Sequence, residues 1–392
     1  MGCFLFVVPP LAGHVNPTIS VGRELIRRGH DVAWAGLPGA VESLLPPDAF
    51  FLPAGSPEAM VHVDELRDRS QGLRAAAAFK FLWESVLIPL AHAMVDGVEA
   101  AVDTWQPDVV IADQQTLAGS AVAIRRGLCW ATSATTSAEM VDALAGLPRA
   151  EEWADEQVQG FLSAIGMSPE MAEPGDLRCS DDLVLVFSSR RLVGEHRSFP
   201  PHYAFVGPSI SDRPEPDLFP WEWLDPDVPH VLVSLGTVNS AAGERFFKVT
   251  AEALAGEALQ AVFVAPPEAV PPARNFLVRR KVPQLQLLKQ MDAVVSHGGH
   301  NTVCETLAHG LPLVLAPIRD DQPIVADQVV QAGAGVRVRF GRVLPGDLSK
   351  AVRSVLDEPS FRSAAGEIKR SFEAAGGAPA AASQLEALLC AD

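Results

Sequence analysis

Short apolar runs followed by amphipathic stretches recur along the whole chain. The first, CFLFVV at residues 3–8, is continuous rather than alternating, the pattern of a strand covered on both faces. After it come the loop PPLAGHVNP and a helix predicted from Pro17 to about Arg28. Asn16 is its expected N-cap, Pro17 its first residue and Gly29 its stop. Strand DVAWAG completes a β-α-β opening. Later, PDVVIAD, HVLVSLGT, AVVSHGG and LPLVLAP are apolar runs that end on polar or glycine-rich turns. Strand VRVRF, helices from Asp347 to about Phe372 and a tail helix from Ala378 to Leu389 follow. Strands alternating with helices predict an α/β protein built on parallel sheets. The proline-rich acidic stretch at 211–229 reads as a linker between a first Rossmann-like domain, 1–210, and a second, 230–372, with a C-terminal helix over 373–392.

The turns carry the chemistry. The run at 293–295 feeds Gly298 and Gly299, and a helix is predicted from Asn301 to Gly310. Such a turn aims backbone N–H groups and the positive helix end at an anion, and glycines let an oxygen approach. A diphosphate fits there, with the His297 ring, the Asn301 amide and the Thr302 hydroxyl beside it. The alternative is a capping box, with Thr302 as N-cap and Glu305 reaching back. The next strand ends before Asp320, Asp321 and Gln322, whose carboxylates and amide suit sugar hydroxyls. Ligands of parallel α/β sheets bind beyond the carboxyl ends of strands, so the two strand ends together point to a nucleoside diphosphate sugar.

In the first half the loop lacks G-x-G-x-x-G, which argues against a dinucleotide cofactor. It carries His14 instead, and Asp113 ends another apolar strand. A carboxylate on one imidazole nitrogen fixes the tautomer and raises the basicity of the other, so the two together make a general base. Singly, the histidine reads as a structural loop residue and the aspartate as an N-cap. The SLGT turn leaves Thr237 either near phosphate or capping a helix.

The set Pro283-Gln284, HGGHNT, Glu305, Gly310-Leu311-Pro312 and Asp320-Asp321-Gln322 resembles the donor-binding signature of inverting GT-B glycosyltransferases, which include plant and bacterial small-molecule enzymes. GHVNP around His14 and the strand-end Asp113 are similar to that family's catalytic dyad. The resemblance implies two Rossmann-like domains facing each other across a cleft and inversion by direct displacement. In it His14 deprotonates an acceptor hydroxyl with Asp113 as partner. Val282 and Gln284 face the base and ribose, Glu305 binds ribose hydroxyls, and His297, Gly299, Asn301 and Thr302 hold the diphosphate. Thr237 lies near the donor, Asp321 and Gln322 grip the sugar, and the tail helix crosses back onto the first domain. Lys281 stands where the plant pattern has tryptophan, so UDP and dTDP donors are both open. A sugar-nucleotide epimerase on the same frame and a non-catalytic auxiliary protein are the alternatives.

Composition narrows the partners. A net charge of −17 over 392 residues argues against nucleic acid or anionic membrane. The five cysteines have no metal spacing, which fits a reducing cytoplasm, and the N-terminal apolar run is too short to span a membrane. Asp225-Pro226-Asp227 has the D-x-D form of a metal motif but sits in the linker stretch, so no metal or other cofactor is expected beyond the nucleotide sugar as co-substrate. Phe79, Phe81, Trp83, Met60, Met94, Met140, Met167 and Met171 lie in apolar segments. Of these, Phe79, Trp83 and Met140 are the candidates for lining a lipophilic acceptor site, with core packing as the alternative.

Overall fold

The structure, a computed structural model, describes residues 1–56, 76–140, 148–168, 177–210, 219–236 and 243–389. Residues Met60 and Met171, Thr237 and the first part of the expected linker lie outside the described residues. The chain divides into two units. One comprises Met1–Phe187, Ser198–Ser211 and Ala375–Asp392, and the other Ser188–Arg197 and Asp212–Ala374.

In the first unit the strands are β1 (Cys3–Val7), β2 (Asp31–Gly36), β3 (Phe50–Pro53), β4 (Val109–Asp113), β5 (Cys129–Ala134), β6 (Leu183–Val186) and β7 (Tyr203–Phe205). They form one sheet in the order β3-β2-β1-β4-β5-β6-β7, with parallel pairing throughout. The unbroken apolar run of β1 is explained by burial on both faces. Phe4 and Phe6 pack with Val15 and Leu25 of helix Ala12–Arg27 and with Ala381 and Leu385 of helix Gly377–Leu388. Leu5 and Val7 pack on the opposite face with Leu90, Met94 and Val98 of helix Ile88–Trp105. Continuous with that helix, Phe79–Trp105 has the length and hydropathy of a membrane span, yet Trp83, Leu87, Ala91, Met94 and Val98 are core residues of this unit.

The second unit repeats the plan with β8 (His230–Ser234), β9 (Gln260–Val264), β10 (Phe276–Arg279), β11 (Ala293–Ser296), β12 (Leu313–Leu315) and β13 (Gly335–Arg337). Their order is β10-β9-β8-β11-β12-β13, again all parallel. Alternate residues of β8 serve opposite faces: Val231 and Val233 meet Phe246, Phe247 and Val352, whereas Leu232 meets Leu287, Leu288 and Met291. Strand order reverses between β1 and β4 in one sheet and between β8 and β11 in the other. Such reversals open a crevice at the carboxyl ends, where ligands of these sheets bind.

Three expectations about elements are corrected. The first helix begins at Ala12, not Pro17, with Leu11 rather than Asn16 as N-cap, so Pro17 lies inside it and supplies no N–H to the carbonyl four residues back. Full burial of Val15 in the core holds that early turn in place. Secondly, Ser188–Arg197 groups with the second unit: Ser189 Oγ meets Ser371 Oγ at 2.8 Å, and Arg191 pairs with Glu367 at 2.6 Å. Thirdly, the stretch after 218 is not a free linker. Phe219 is buried against Leu232 and Leu277, Trp223 and Leu224 pack on the same cluster, and the Asp225 N–H donates to Gln260 Oε1. The aspartate motif in it closes a local turn, with Asp225 Oδ1 accepting the Asp227 N–H at 3.0 Å.

The tail helix is held by a polar clasp within the first unit. Arg28 donates to Glu24, to Ser383 Oγ, to Glu386 Oε2 and to the Pro379 carbonyl. His30 Nδ1 accepts the Gly2 N–H, which leaves its Nε2 as the protonated nitrogen that donates to Glu386 Oε1.

Candidate active site

The reversal in the first sheet brings together side chains far apart in sequence. His14 stands in the first turn of helix Ala12–Arg27, just after β1, and Asp113 is the last residue of β4. His14 Nδ1 lies 3.0 Å from both Oδ1 and Oδ2 of Asp113. The carboxylate side chain is fully buried, whereas the imidazole keeps 15% of its surface. Asp113 Oδ1 also accepts the Gln115 N–H at 2.9 Å. A buried carboxylate accepts only, so His14 Nδ1 carries the proton and Nε2 is the nitrogen that can take one.

A third residue belongs to this cluster and was not anticipated. Thr135 follows β5, the neighbour of β4, and its Oγ1 lies 2.7 Å from His14 Nδ1 and 3.3 Å from Asp113 Oδ2. The signal available in the sequence was the run of hydroxyls Thr135, Thr136 and Ser137 at the end of an apolar strand.

In the second sheet the neighbouring strands β8, β11 and β12 end on Gly236, His297 and the loop Pro317–Asp321. The Cε1–Nε2 edge of the His297 ring lies close to two glycines. A Cβ on Gly299 would lie 2.4 Å from its Nε2, and one on Gly236 would lie 2.8 Å from its Cε1. Burial pushes the His297 pKa down to about 4, against the opposing pull of Asp321 and a hydrogen bond with the Ser234 backbone. The ring is therefore neutral near pH 7 and has one N–H. Helix His300–Ala308 starts directly after, with Gly299 as N-cap and the Val303 N–H as the first to close, onto the Gly299 carbonyl. The N–H groups of a first helical turn have no intrahelical acceptor, and with the positive end of the helix dipole they favour an anion over a cation at this end. Gly298 has a positive φ of 87°, and its N–H donates to Ser296 Oγ.

The capping-box alternative is overturned, because Thr302 is the third residue inside the helix rather than its cap. Glu305, 6% exposed, accepts at Oε2 from Gln284 Nε2 at 2.6 Å. That bond ties the start of helix Gln284–Leu288 to the cradle helix, and Val282 beside it packs on the Phe219 cluster. Asn301 is half-buried in the first turn. Asp321 is the N-cap residue of helix Gln322–Gln331, and Asp320 before it adopts a left-handed φ of 57°. Gln322 is buried, and its Oε1 accepts the N–H groups of Ile318 and Arg319 at 2.9 and 3.2 Å. These bonds occupy the amide oxygen of Gln322. Cys304 lies 3.4 Å from His300 Nε2, and burial drives its thiol pKa far up, so it is a core thiol and not a nucleophile.

Of the acceptor candidates, Phe79 and Trp83 are brought together, with ring centroids 6.2 Å apart and Trp153 6.0 Å from Phe79. Trp83 is only 2% exposed and packs with Leu87, Phe161 and Leu162, while Arg178 sits over its ring. Met140 is buried at the end of the turn Ser137–Met140. Met94 and Met167 are core residues. Among the described residues no group of three or more His, Cys, Asp or Glu side chains has metal-site geometry.

Comparisons with known proteins agree with this fold. Residues 206–371 match the family described as UDP-glucoronosyl and UDP-glucosyl transferase. The chain is 30% identical to an uncharacterized UDP-glucosyltransferase, YojK, of Bacillus subtilis, over 98% of this chain and 97% of that one. It is 30% identical to 4'-demethylrebeccamycin synthase of Lentzea aerocolonigenes, over 94% and 95% of the two chains. The solved structure of the glycotransferase of kitacinnamycin superposes with a TM-score of 0.78 at 25% identity, covering 99% of this chain and 98% of that one. Two Rossmann-like units with this strand order constitute the GT-B fold, and the chain belongs to the UDP-glucoronosyl and UDP-glucosyl transferase family of glycosyltransferases.

Proposed function

We propose that the protein transfers a hexose from a UDP- or dTDP-sugar to a hydroxyl of a small lipophilic acceptor, with inversion at the anomeric carbon. The observation that carries this reading is the His14–Asp113 pair, 3.0 Å apart at the reversal of the first sheet. His14 Nε2 takes the acceptor's proton as its oxygen attacks the anomeric carbon. The bond from that carbon to the diphosphate breaks on the opposite side, and the nucleoside diphosphate leaves. Asp113 stays ionised and stabilises the imidazolium.

In the same reading the first unit receives the acceptor and the second the donor. The start of helix His300–Ala308, with His297, Gly299, Asn301 and Thr302, holds the diphosphate and its growing charge. Gln284 and Glu305 take the ribose, Val282 the base, Asp321 and the Gln322 amide the sugar hydroxyls, and Thr237 the phosphates. The helix end and its N–H groups carry the leaving-group charge without a metal. Similarity to a UDP-glucosyltransferase and to 4'-demethylrebeccamycin synthase along almost the full chain supports the donor class and a natural-product acceptor.

The test is turnover with a panel of nucleotide sugars and acceptors, followed by His14→Ala. The variant is expected to lose about 10²–10⁴ in rate while keeping its affinity for nucleoside diphosphate. Full turnover by His14→Ala would refute the base, and nucleotide released equally with and without acceptor would refute the transfer.

A further inference from the structure

Thr135 stands where its hydroxyl meets both members of the His14–Asp113 pair, and counting hydrogens fixes what it does there. A neutral imidazole has one N–H. His14 Nδ1 lies 3.0 Å from two carboxylate oxygens, which accept only, so the hydrogen is on Nδ1; a bare lone pair there would face two anionic oxygens. Thr135 Oγ1, 2.7 Å from that same nitrogen, therefore cannot donate to it. Its hydroxyl proton goes to Asp113 Oδ2 at 3.3 Å, and its lone pair is turned toward Nδ1–H. Thr135 is itself buried, so water does not compete for these bonds.

From this geometry we propose that Thr135 is a positioning residue for the general base. The inference rests on His14 being that base. The hydroxyl closes the third side of Nδ1, fixing the imidazole plane and the Nδ1–H tautomer. By donating to Oδ2 it keeps the proton of the pair on the ring and the carboxylate ionised as positive charge develops on His14. Asp113 ends β4, Thr135 follows β5, and His14 stands in the first helical turn after β1; these three strands are neighbours in the sheet, so the arrangement is built on regular elements.

Thr135→Val removes the hydroxyl at nearly equal size. Loss of a hydrogen bond to a charged group predicts a fall in kcat of about ten- to a hundredfold. Nucleoside diphosphate affinity is expected to stay unchanged, and Thr135→Ser to restore most of the rate. In a His14→Ala background Thr135→Val should cost nothing further, because the group it positions is gone. Nitrogen NMR of the wild-type protein needs no variant and should show His14 as the Nδ1–H tautomer. Wild-type kcat in a folded Thr135→Val, an undiminished effect in the His14→Ala background, or an Nε2–H tautomer would each overturn the proposal. So would a matching loss of donor affinity, which would place the hydroxyl on the donor. Should His14→Ala itself turn over at full rate, the base reading fails and takes this one with it. An inactive His14→Ala beside a fully active Thr135→Val sinks the Thr135 role alone.

Discussion

Gly299→Ala tests the cradle with a single methyl group. The added Cβ would stand 2.4 Å from His297 Nε2, whereas heavy atoms in contact settle at about 3.5–4.0 Å, so the ring or the helix start must move by roughly 1 Å. The ring has little room to yield, because it is buried at 8% exposure in a close-packed site. Overpacking of this kind costs about 1–3 kcal/mol. For a unit of this size that is roughly 2–4 °C of melting temperature per kcal/mol. The functional loss should be larger than the loss of stability. A misplacement of about 1 Å at a group that aligns the donor costs on the order of 10² in rate. Differential scanning calorimetry, nucleoside diphosphate titration calorimetry and kcat/KM on the same preparation separate the two effects. Gly341→Ala is the control, because a Cβ there meets nothing within 4 Å. If Gly299→Ala binds and turns over donor like the Gly341→Ala control, His297 and the helix start do not form the diphosphate site.

Three further outcomes follow from the same geometry. Glu305→Ala removes the partner of Gln284 Nε2 and should weaken UDP or dTDP itself by about 1.5–3 kcal/mol in titration calorimetry; unchanged affinity would remove Glu305 from the ribose site. If His297 bonds a phosphate while retaining Ser234, it must take up a proton, because the neutral ring has one N–H and burial holds its pKa down to about 4 against an ordinary 6.5. Nucleotide titrations between those two values, in buffers of different ionisation enthalpy, should show proton uptake that His297→Gln lacks; equal uptake by both would exclude the contact. Lastly, His30 first, and then Arg28, hold the Glu386 carboxyl below its usual range, and Arg27 and Arg28 hold Glu24 down to about 2. A lowered folded pKa stabilises above the ordinary carboxylate value and is lost as pH falls through the folded one. Glu386→Gln should therefore lower the melting temperature at neutral pH and converge with wild type in strong acid, and a constant difference across pH would argue against the clasp.

How much was legible in the sequence depended on whether a feature is local. Continuous apolar runs marked β1, β4, β8 and β11, because a strand covered on both faces needs no alternation. Helix starts were less readable. Pro17 and Asn16 look like a first helical residue and its cap, yet burial of Val15 outweighed that preference and moved the start to Ala12. Thr302 and Glu305 likewise have capping-box spacing. The tight packing of Gly299 against His297 coincides with the helix beginning three residues earlier than such a box requires, with Gly299 rather than Thr302 as N-cap, and Glu305 is taken by Gln284, 21 residues away. The prolines at 220, 226 and 229 suggested a linker, but Phe219 and Trp223 in the same stretch have apolar partners in the second unit that no local pattern displays.

The same contrast explains why the two reversals announce themselves so differently. An anion cradle is made of backbone, so its requirements fall on consecutive residues: glycines at 298 and 299 and a helix starting at His300. A short segment must carry all of them, and it can be read as a motif. The proposed base is made of side chains from the helix turn after β1 and from the ends of β4 and β5, with His14 and Asp113 99 positions apart in sequence and His14 and Thr135 121 apart. Each of those residues has an ordinary local explanation, and only the strand order makes them neighbours. Thr135 was missed for that reason. A hydroxyl closing an apolar strand becomes informative once the adjacent strands are known to end in a histidine and an aspartate. Residues of this class are therefore best sought at the ends of strands flanking a reversal, on the sheet face that already holds the first two.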